Sequence, residues 1–468
     1  MSANAQQVGV LVGVQLSGVS DEEFESSLEE LARLAKTLGV RVVGRVTQRR
    51  ASLAASAVVG AGKLRELARW TGGTGVVPIG PPKRRSKDAA AEEREHEVDE
   101  PVEEPDAEDL DEGEAHEAPS AAPPREKASV VILDHDVSPS QARNLERATG
   151  AEILDRTSVI LAIFRRHARS REAALEVEIA RLTYQAPRVR ESGIGKDRQK
   201  GGVGGKGAGE AYVELDRRKI RDRIAELRAE LEVIEQQAAT RRDRRARQAT
   251  VALVGYTNAG KSSWMRLLTG SGVLVEDKLF ATLDTTVRAL HPETRPRILV
   301  SDTVGFIKKL PHALVASFRS TLAEAREASL VLHVVDASDP VFRQHMEVTR
   351  GVLRELEAGD SPELVLLNKA DRLDDAARQA CAAEFPDALV VSAKRSADVE
   401  RVRRRIVEFF ERGMVDGDVF VPYTKARWVS EVHARCRVLS ESYEEHGTRM
   451  VVRTHAGELE RLRAAIAA

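Results

Sequence analysis

From Thr250 the chain reads as a short apolar strand, VALVG, that runs straight into Gly255-Tyr-Thr-Asn-Ala-Gly-Lys261-Ser262 and then into a helical stretch, Ser263 to Leu268. No other feature restricts the fold so sharply. Glycine lets backbone amides curl around phosphate oxygens at a helix N-terminus, a lysine there adds charge at the β and γ phosphates, and the following hydroxyl ligates magnesium. Gly255, Tyr256, Thr257, Asn258, Ala259, Gly260, Lys261 and Ser262 are therefore the first group of candidate site residues. The same alternation of strand and helix continues through RILVSD, LVLHVVD, ELVLLN and ALVVSA. It predicts an α/β fold with a doubly wound parallel sheet, whose ligand site lies at the carboxyl ends of the strands.

Three further motifs fall at those strand ends. Asp302-Thr303-Val304-Gly305 closes RILVSD, where a carboxylate can hold magnesium through water and the Gly305 amide can meet the γ-phosphate. Asn368-Lys369-Ala370-Asp371 closes ELVLLN; the aspartate can accept hydrogen bonds from the ring N–H and exocyclic amine of guanine, a donor pair that adenine lacks. Ser392-Ala393-Lys394 closes the next strand and reads as the loop over the base. Each of these is a common surface tetrapeptide when alone, but four in this order at four strand ends leave chance negligible. Together they predict a magnesium-dependent GTP hydrolase.

Leu279 to Thr286 (LFATLDTT) is a candidate switch segment in which Phe280, Ala281, Thr282, Leu283 and Asp284 would close on the nucleotide. Thr282 is the first choice for a second hydroxyl on magnesium; Thr285 and Thr286 are rivals that spacing does not separate. The expected catalytic residues are Lys261, Gly305 and the switch threonine, with Thr282 the first choice, and the expected metal ligands are Ser262 and that same threonine. After Gly305 stands Phe306, where a Ras-type enzyme uses glutamine to orient the attacking water, so the intrinsic rate should be low. A nucleotide-binding regulatory scaffold with little hydrolysis is the rival reading.

Outside this region, 468 residues with 42% hydrophobic content suffice for several cores. The first domain reads as an α/β layer: strands over Val8–Gln15, Val40–Val46, Val76–Ile79 and Ser129–Leu133, and helices over Asp21–Leu38, Lys63–Trp70 and Ser138–Ala148, the last capped by serine. Pro81 to Lys127 interrupts it with an acidic stretch too poor in apolar residues to order itself. Asp88 to Glu117 alone holds sixteen acids against Arg94, so the remainder of a chain of formal charge −2 stands at +13, which suits a polyanionic partner. Thr157 to Tyr184 reads as amphipathic helix and Ser192 to Gly209 as a basic glycine-rich loop. Asp216 to Arg247 reads as one long helix with Ile220, Ile224, Leu227, Leu231 and Ile234 on a stripe, predicting a hairpin with the preceding helix. Val419 to Ala468 reads as a small βαββα module.

The expected domains are 1–160, 161–247, 248–414 and 415–468. Two distant cysteines, Cys381 and Cys436, with no signal segment, membrane-length apolar run or lipidation signal, point to the cytoplasm.

With these residues in hand, the chain resembles the HflX family of ribosome-associated GTPases over nearly its whole length. GYTNAGKS, LFATLD, DTVGF and NKAD carry the resemblance, and so do stretches that ordinary GTPases have no reason to share: Val59 to Lys63 (VGAGK), Asp134-His, Ser138 to Glu146 (SPSQARNLE), Asp155-Arg-Thr157 and Glu214 to Arg218 (ELDRR). The resemblance implies Thr282 as the magnesium-binding threonine. It also implies a protein that binds the large ribosomal subunit and its RNA in the GTP state, has its hydrolysis stimulated by ribosomes, and splits stalled or idle ribosomes under stress; the expected state of the chain is a monomer. A GTPase acting on another RNA is the alternative. Three departures stand out: the acidic insertion, Gly207-Ala-Gly-Glu-Ala-Tyr212 where the family often has GPGETQ, and Ser263 where threonine is more usual.

Overall fold

The computed structural model describes residues 7–54, 56–77, 126–188, 208–245, 249–270, 279–280, 286–309, 323–356, 358–359 and 361–467. Its first elements are β1 (Val8–Leu16), α1 (Asp21–Leu38), β2 (Arg41–Arg50), α2 (Ala61–Thr71), β3 (Val130–Leu133), α3 (Pro139–Thr149) and β4 (Glu152–Asp155). Two compact units emerge: Met1–Ser17 with Arg41–Ile153, and Gly18–Val40 with Leu154–Ala468.

The first unit is built on a sheet of order β2-β1-β3-β4, with β1 parallel to both neighbours. All seven inner residues of β1 are buried, as a central parallel strand requires. Val10, Val12 and Val14 pack with Val131, Leu133, Leu64, Leu67 and Leu145. Ser138 caps α3 in a reciprocal box with Gln141, Pro139 opens the first turn and Gly150 closes it in the left-handed conformation. The strand expected at Val76–Ile79 is not formed at Val76 or Val77, and Pro78 and Ile79 lie outside the described residues. The fourth place in the sheet belongs instead to β4, too short and polar to stand out in sequence. Of the acidic insertion, only Glu126 and Lys127 fall among the described residues.

In the second unit α1 meets α4 (Arg156–His167), followed by α5 (Arg171–Gln185) and α6 (Ala208–Arg245). The helix expected over Thr157–Tyr184 is thus two helices. Ser170 accepts from the Ala173 amide at 3.1 Å and starts the second. Likewise α6 opens at Ala208, within the stretch expected to be loop. Leu175, Ile179 and Leu182 of α5 pack on Ile224, Leu227, Leu231 and Ile234 of α6, so the predicted hairpin forms along the predicted stripe.

Next come β5 (Ala249–Val254), α7 (Lys261–Thr269), β6 (Thr286–Ala289), β7 (Ile298–Asp302), α8 (Ala323–Arg326), β8 (Leu330–Asp336), α9 (Phe342–Glu355), β9 (Glu363–Asn368), α10 (Asp375–Glu384), β10 (Leu389–Val390) and α11 (Ser396–Glu411). The sheet runs β10-β9-β8-β5-β7-β6, parallel except for the edge strand β6. This is the predicted doubly wound fold, with β5 central and its phosphate-loop candidate beside the strand-order reversal. Leu253, Leu332, Val334, Trp264 and Leu268 are inaccessible to solvent, each such aliphatic side chain contributing about 1.5–3 kcal/mol.

The chain ends in β11 (Met414–Pro422), α12 (Arg427–Arg435), β12 (Arg437–Glu444), β13 (Gly447–His455) and α13 (Ala456–Ala467). The strands form an antiparallel sheet, β11-β13-β12, over Met450, Val452, Val432 and Leu462. The protein is a multi-domain α/β structure.

Candidate nucleotide site

The loop between β5 and α7 is shaped by its neighbours on three sides. At Gly260 the backbone is left-handed (φ +104°), and a Cβ there would lie 2.4 Å from Asn368 Nδ2, so only glycine fits. That amide donates to Ala259 O at 2.7 Å, while Asn368 Oδ1 accepts from the Ala393 amide at 3.3 Å. Asn368 therefore stitches the phosphate loop to the third and fourth motifs. On the other side Thr257 donates its amide to Phe306 O at 2.7 Å, and the Phe306 amide donates to Gly255 O at 3.1 Å, a parallel bridge between Tyr256 and Phe306.

Lys261, the first residue of α7, is buried and donates to the Gly255 and Tyr256 carbonyls at 2.9 and 2.8 Å. Burial lowers its pKa to about 8, with Asp302 opposing that fall. Beside it, Ser262 Oγ donates to Asp302 Oδ2 at 3.0 Å. A hydroxyl and a carboxylate converging at a helix N-terminus form the oxygen donor set that a hard cation such as magnesium takes, so these residues fit the ion. Gly305 closes the cradle. A Cβ on it would meet Lys261 Nζ at 2.9 Å, so its bare backbone approaches the lysine that a γ-phosphate would contact. Thr303 is buried and donates its hydroxyl to Leu253 O at 2.7 Å, fixing β7 on β5, and Val304 is buried beside it.

At the base end, Asp371 accepts from Ser392 Oγ at 2.6 Å and Lys394 Nζ at 2.7 Å. These two hydrogen bonds hold its carboxyl at about 2, so it is ionised and ready to accept from a purine edge. Lys369, in the left-handed region, turns back to Asp336 at 2.6 Å, and Ala370 is buried under the loop. All four predicted motifs thus sit at the carboxyl ends of β5, β7, β9 and β10. In the switch segment Leu279 and Phe280 are described and buried, whereas Ala281, Thr282, Leu283, Asp284 and Thr285 lie outside the described residues.

Sequence reasoning missed a layer of α1 and α4 residues against this loop. A narrow cavity of about 20 Å³ beside the loop is lined by Glu30 and Arg33 of α1 together with Tyr256, Asn258, Asp336 and His345. His345 stacks on Tyr256 with centroids 3.8 Å apart; burial lowers its pKa to about 4, with Asp339 opposing, so it is neutral at pH 7. Phe280 meets Phe164 of α4 edge to face at 4.5 Å, and the Leu279 amide donates to Thr37 of α1 at 3.3 Å. The signal available in sequence was Glu30, an acid on the buried face of α1.

Three family models match the chain: one described as GTP-binding GTPase N-terminal at residues 25–77 and 96–165, one as GTP-binding GTPase Middle Region at 167–245, and one as 50S ribosome-binding GTPase at 250–369. The chain is 54% identical over 461 residues to GTPase HflX of Gluconacetobacter diazotrophicus, covering 98% of each. To GTPase HflX of Alkalihalophilus pseudofirmus it is 36% identical, covering 96% of this chain and 93% of that one. For GTPase HflX of Escherichia coli the figures are 39%, 69% and 76%. Among solved structures it is similar to the SsGBP–GDP complex at 22% identity and a TM-score of 0.44, covering 86% of this chain and 98% of that chain. The fold and its loops define a P-loop GTPase, an enzyme that binds and hydrolyses GTP. Within that class, the chain belongs to the HflX family.

Proposed function

We propose that this GTPase is a magnesium-dependent switch acting on the large ribosomal subunit, which it binds in the GTP state and whose stalled or idle ribosomes it splits. The observation that carries the reading is the description of the model matched at residues 250–369, a 50S ribosome-binding GTPase. The paired helices α5 and α6 support it, since the described part of α6 carries Arg217, Arg218, Lys219, Arg221, Arg223 and Arg228, a basic cluster suited to ribosomal RNA.

In the site, Ser262 and Thr282 would ligate magnesium directly and Asp302 through water, and the ion would neutralise charge developing on the β and γ phosphates. Lys261 would contact the same oxygens and the Gly305 amide the γ-phosphate. Gly255 to Ser262 would wrap the phosphates, Phe280 to Asp284 would close over them, and Asn368 to Asp371 with Ser392 to Lys394 would hold guanine. We assign residues 1–160, 161–247, 248–414 and 415–468 to an N-terminal domain, a helical hairpin, the GTPase domain and a C-terminal module of a monomeric, cytoplasmic protein. No helix among the described residues is long and apolar enough to cross a membrane.

The test is GTP turnover by the full chain, alone and with increasing large subunits, together with co-sedimentation in a non-hydrolysable GTP analogue. Stimulated turnover with nucleotide-dependent pelleting supports the reading. Turnover indifferent to subunits, with no pelleting, leaves a GTPase and removes its partner.

A further inference from the structure

Asp155-Arg156-Thr157, noted in the sequence without a role, lies at the start of α4. Asp155 caps that helix through the Ser158 amide at 2.9 Å and also receives Arg188 Nη2 at 2.7 Å and the Tyr184 hydroxyl. The next residue is therefore held on a braced backbone. Arg156, 1% exposed, forms an ion pair with Glu30 of α1, 5% exposed. A buried pair of this kind costs desolvation on both sides, and packed apolar residues would serve stability as well.

The pair has a third member. The hydroxyl of Tyr256, second residue of the phosphate loop, accepts the Lys308 amide at 2.6 Å, and Tyr256 and Glu30 line one narrow cavity, where Glu30 adds to the rise that burial gives the phenol's pKa. The phenol thus joins the phosphate loop to the main chain three residues beyond Gly305, on the side that faces α1. With the bridge between Tyr256 and Phe306, this contact fixes both ends of the segment that leaves Gly305.

We propose that Tyr256 is a positioning residue for GTP hydrolysis: braced by Glu30 and Arg156, its hydroxyl holds the Phe306–Lys308 main chain and so fixes the Gly305 amide. The inference rests on the assignment of Gly305 to the γ-phosphate made above. Glu30, tied to Arg156, walls one side of Tyr256, and His345 stacked on the ring prevents it from swinging away. Side chains that lock a reacting group in this way act on the transition state more than on substrate binding.

The experiment compares the full chain with Tyr256→Phe and with the paired change Glu30→Met, Arg156→Met, which keeps the volume apolar and removes the ion pair that braces the phenol. Readouts are kcat, KM for GTP and amide hydrogen exchange across residues 306–309; Gly305→Ala serves as the reference. Expected in both variants is a fall in kcat of about five- to tenfold, the worth of one hydrogen bond, with KM within about twofold and faster exchange at 306–309. Unchanged kcat in Tyr256→Phe while Gly305→Ala loses turnover overturns this inference alone, as does a rise in KM with kcat retained. Normal turnover in Gly305→Ala overturns the site reading and this inference with it.

Discussion

Nucleotide binding should take up a proton above neutral pH, and the burial of Lys261 sets how much. In the nucleotide-free protein its pKa lies at about 8, where an exposed lysine would have 10.5. Phosphate oxygens placed on the ammonium favour its charged form, so the bound state is protonated throughout the range. Uptake should then be about a tenth of a proton at pH 7, about a half at pH 8 and about three quarters at pH 8.5, with affinity falling towards tenfold per unit above pH 8. The same shift governs stability without nucleotide. Between about 8 and 10.5 the unfolded lysine holds a proton that the folded one has lost, so stability rises with pH across that window; below 8 the charged, buried lysine costs on the order of 3 kcal/mol. Calorimetric titration of magnesium–GTP into the protein at pH 7, 8 and 8.5, each in two buffers of different ionisation enthalpy, measures the uptake directly. Zero uptake at pH 8.5 together with a pH-independent affinity would refute the reasoning, because a lysine in contact with phosphate and titrating near 8 cannot avoid both.

Three other perturbations give distinct outcomes. Asp371→Asn should weaken GTP binding on the order of a hundredfold and shift preference to xanthosine triphosphate, since the ring then offers an acceptor where guanine offers a donor; competition binding reads it, and unchanged GTP affinity would count against this base pocket. Gly260→Ala forces a Cβ onto Asn368 in a left-handed backbone, and should cost roughly 1–3 kcal/mol in a thermal or urea melt and abolish nucleotide retention on a desalting column. Phe306→Gln should leave turnover no faster, and destabilise the protein by about 1–3 kcal/mol through a buried unpaired amide; phosphate release and denaturant unfolding measure both, and an accelerated enzyme would contradict the placement of this side chain.

The GTPase domain was legible because its information is local and repeated. Strand-length apolar runs end in loops whose glycine, lysine and carboxylate each answer to a phosphate, a metal or a base, and β5, β7, β9 and β10 appear where those runs stand. The hairpin was legible for the same reason, its stripe reaching from Ile224 to Ile234. What escaped depends on distance along the chain. Glu30 and Arg156 pair across an interval of 126 residues, and nothing beside either one in the sequence names the other. The strand β4 has four residues and owes its existence to β3, while the break at Ala168–Ser170 rests on a serine cap inside an otherwise helical pattern.

Phe306 shows how structure narrows a question that sequence can only raise. From sequence, the position after Gly305 lacks a glutamine, and the group that orients the attacking water is unnamed. In the fold Phe306 is 1% exposed, its amide is spent on Gly255 and its carbonyl on Thr257. A side chain anchored at both peptide groups and packed inward cannot reach a water on the phosphate side, whatever its chemistry. The water is therefore left to other groups: main chain around Gly305, other side chains of the site, or groups brought from outside the chain. If a docked partner brings that group, turnover by the chain alone is slow and rises when the partner is added.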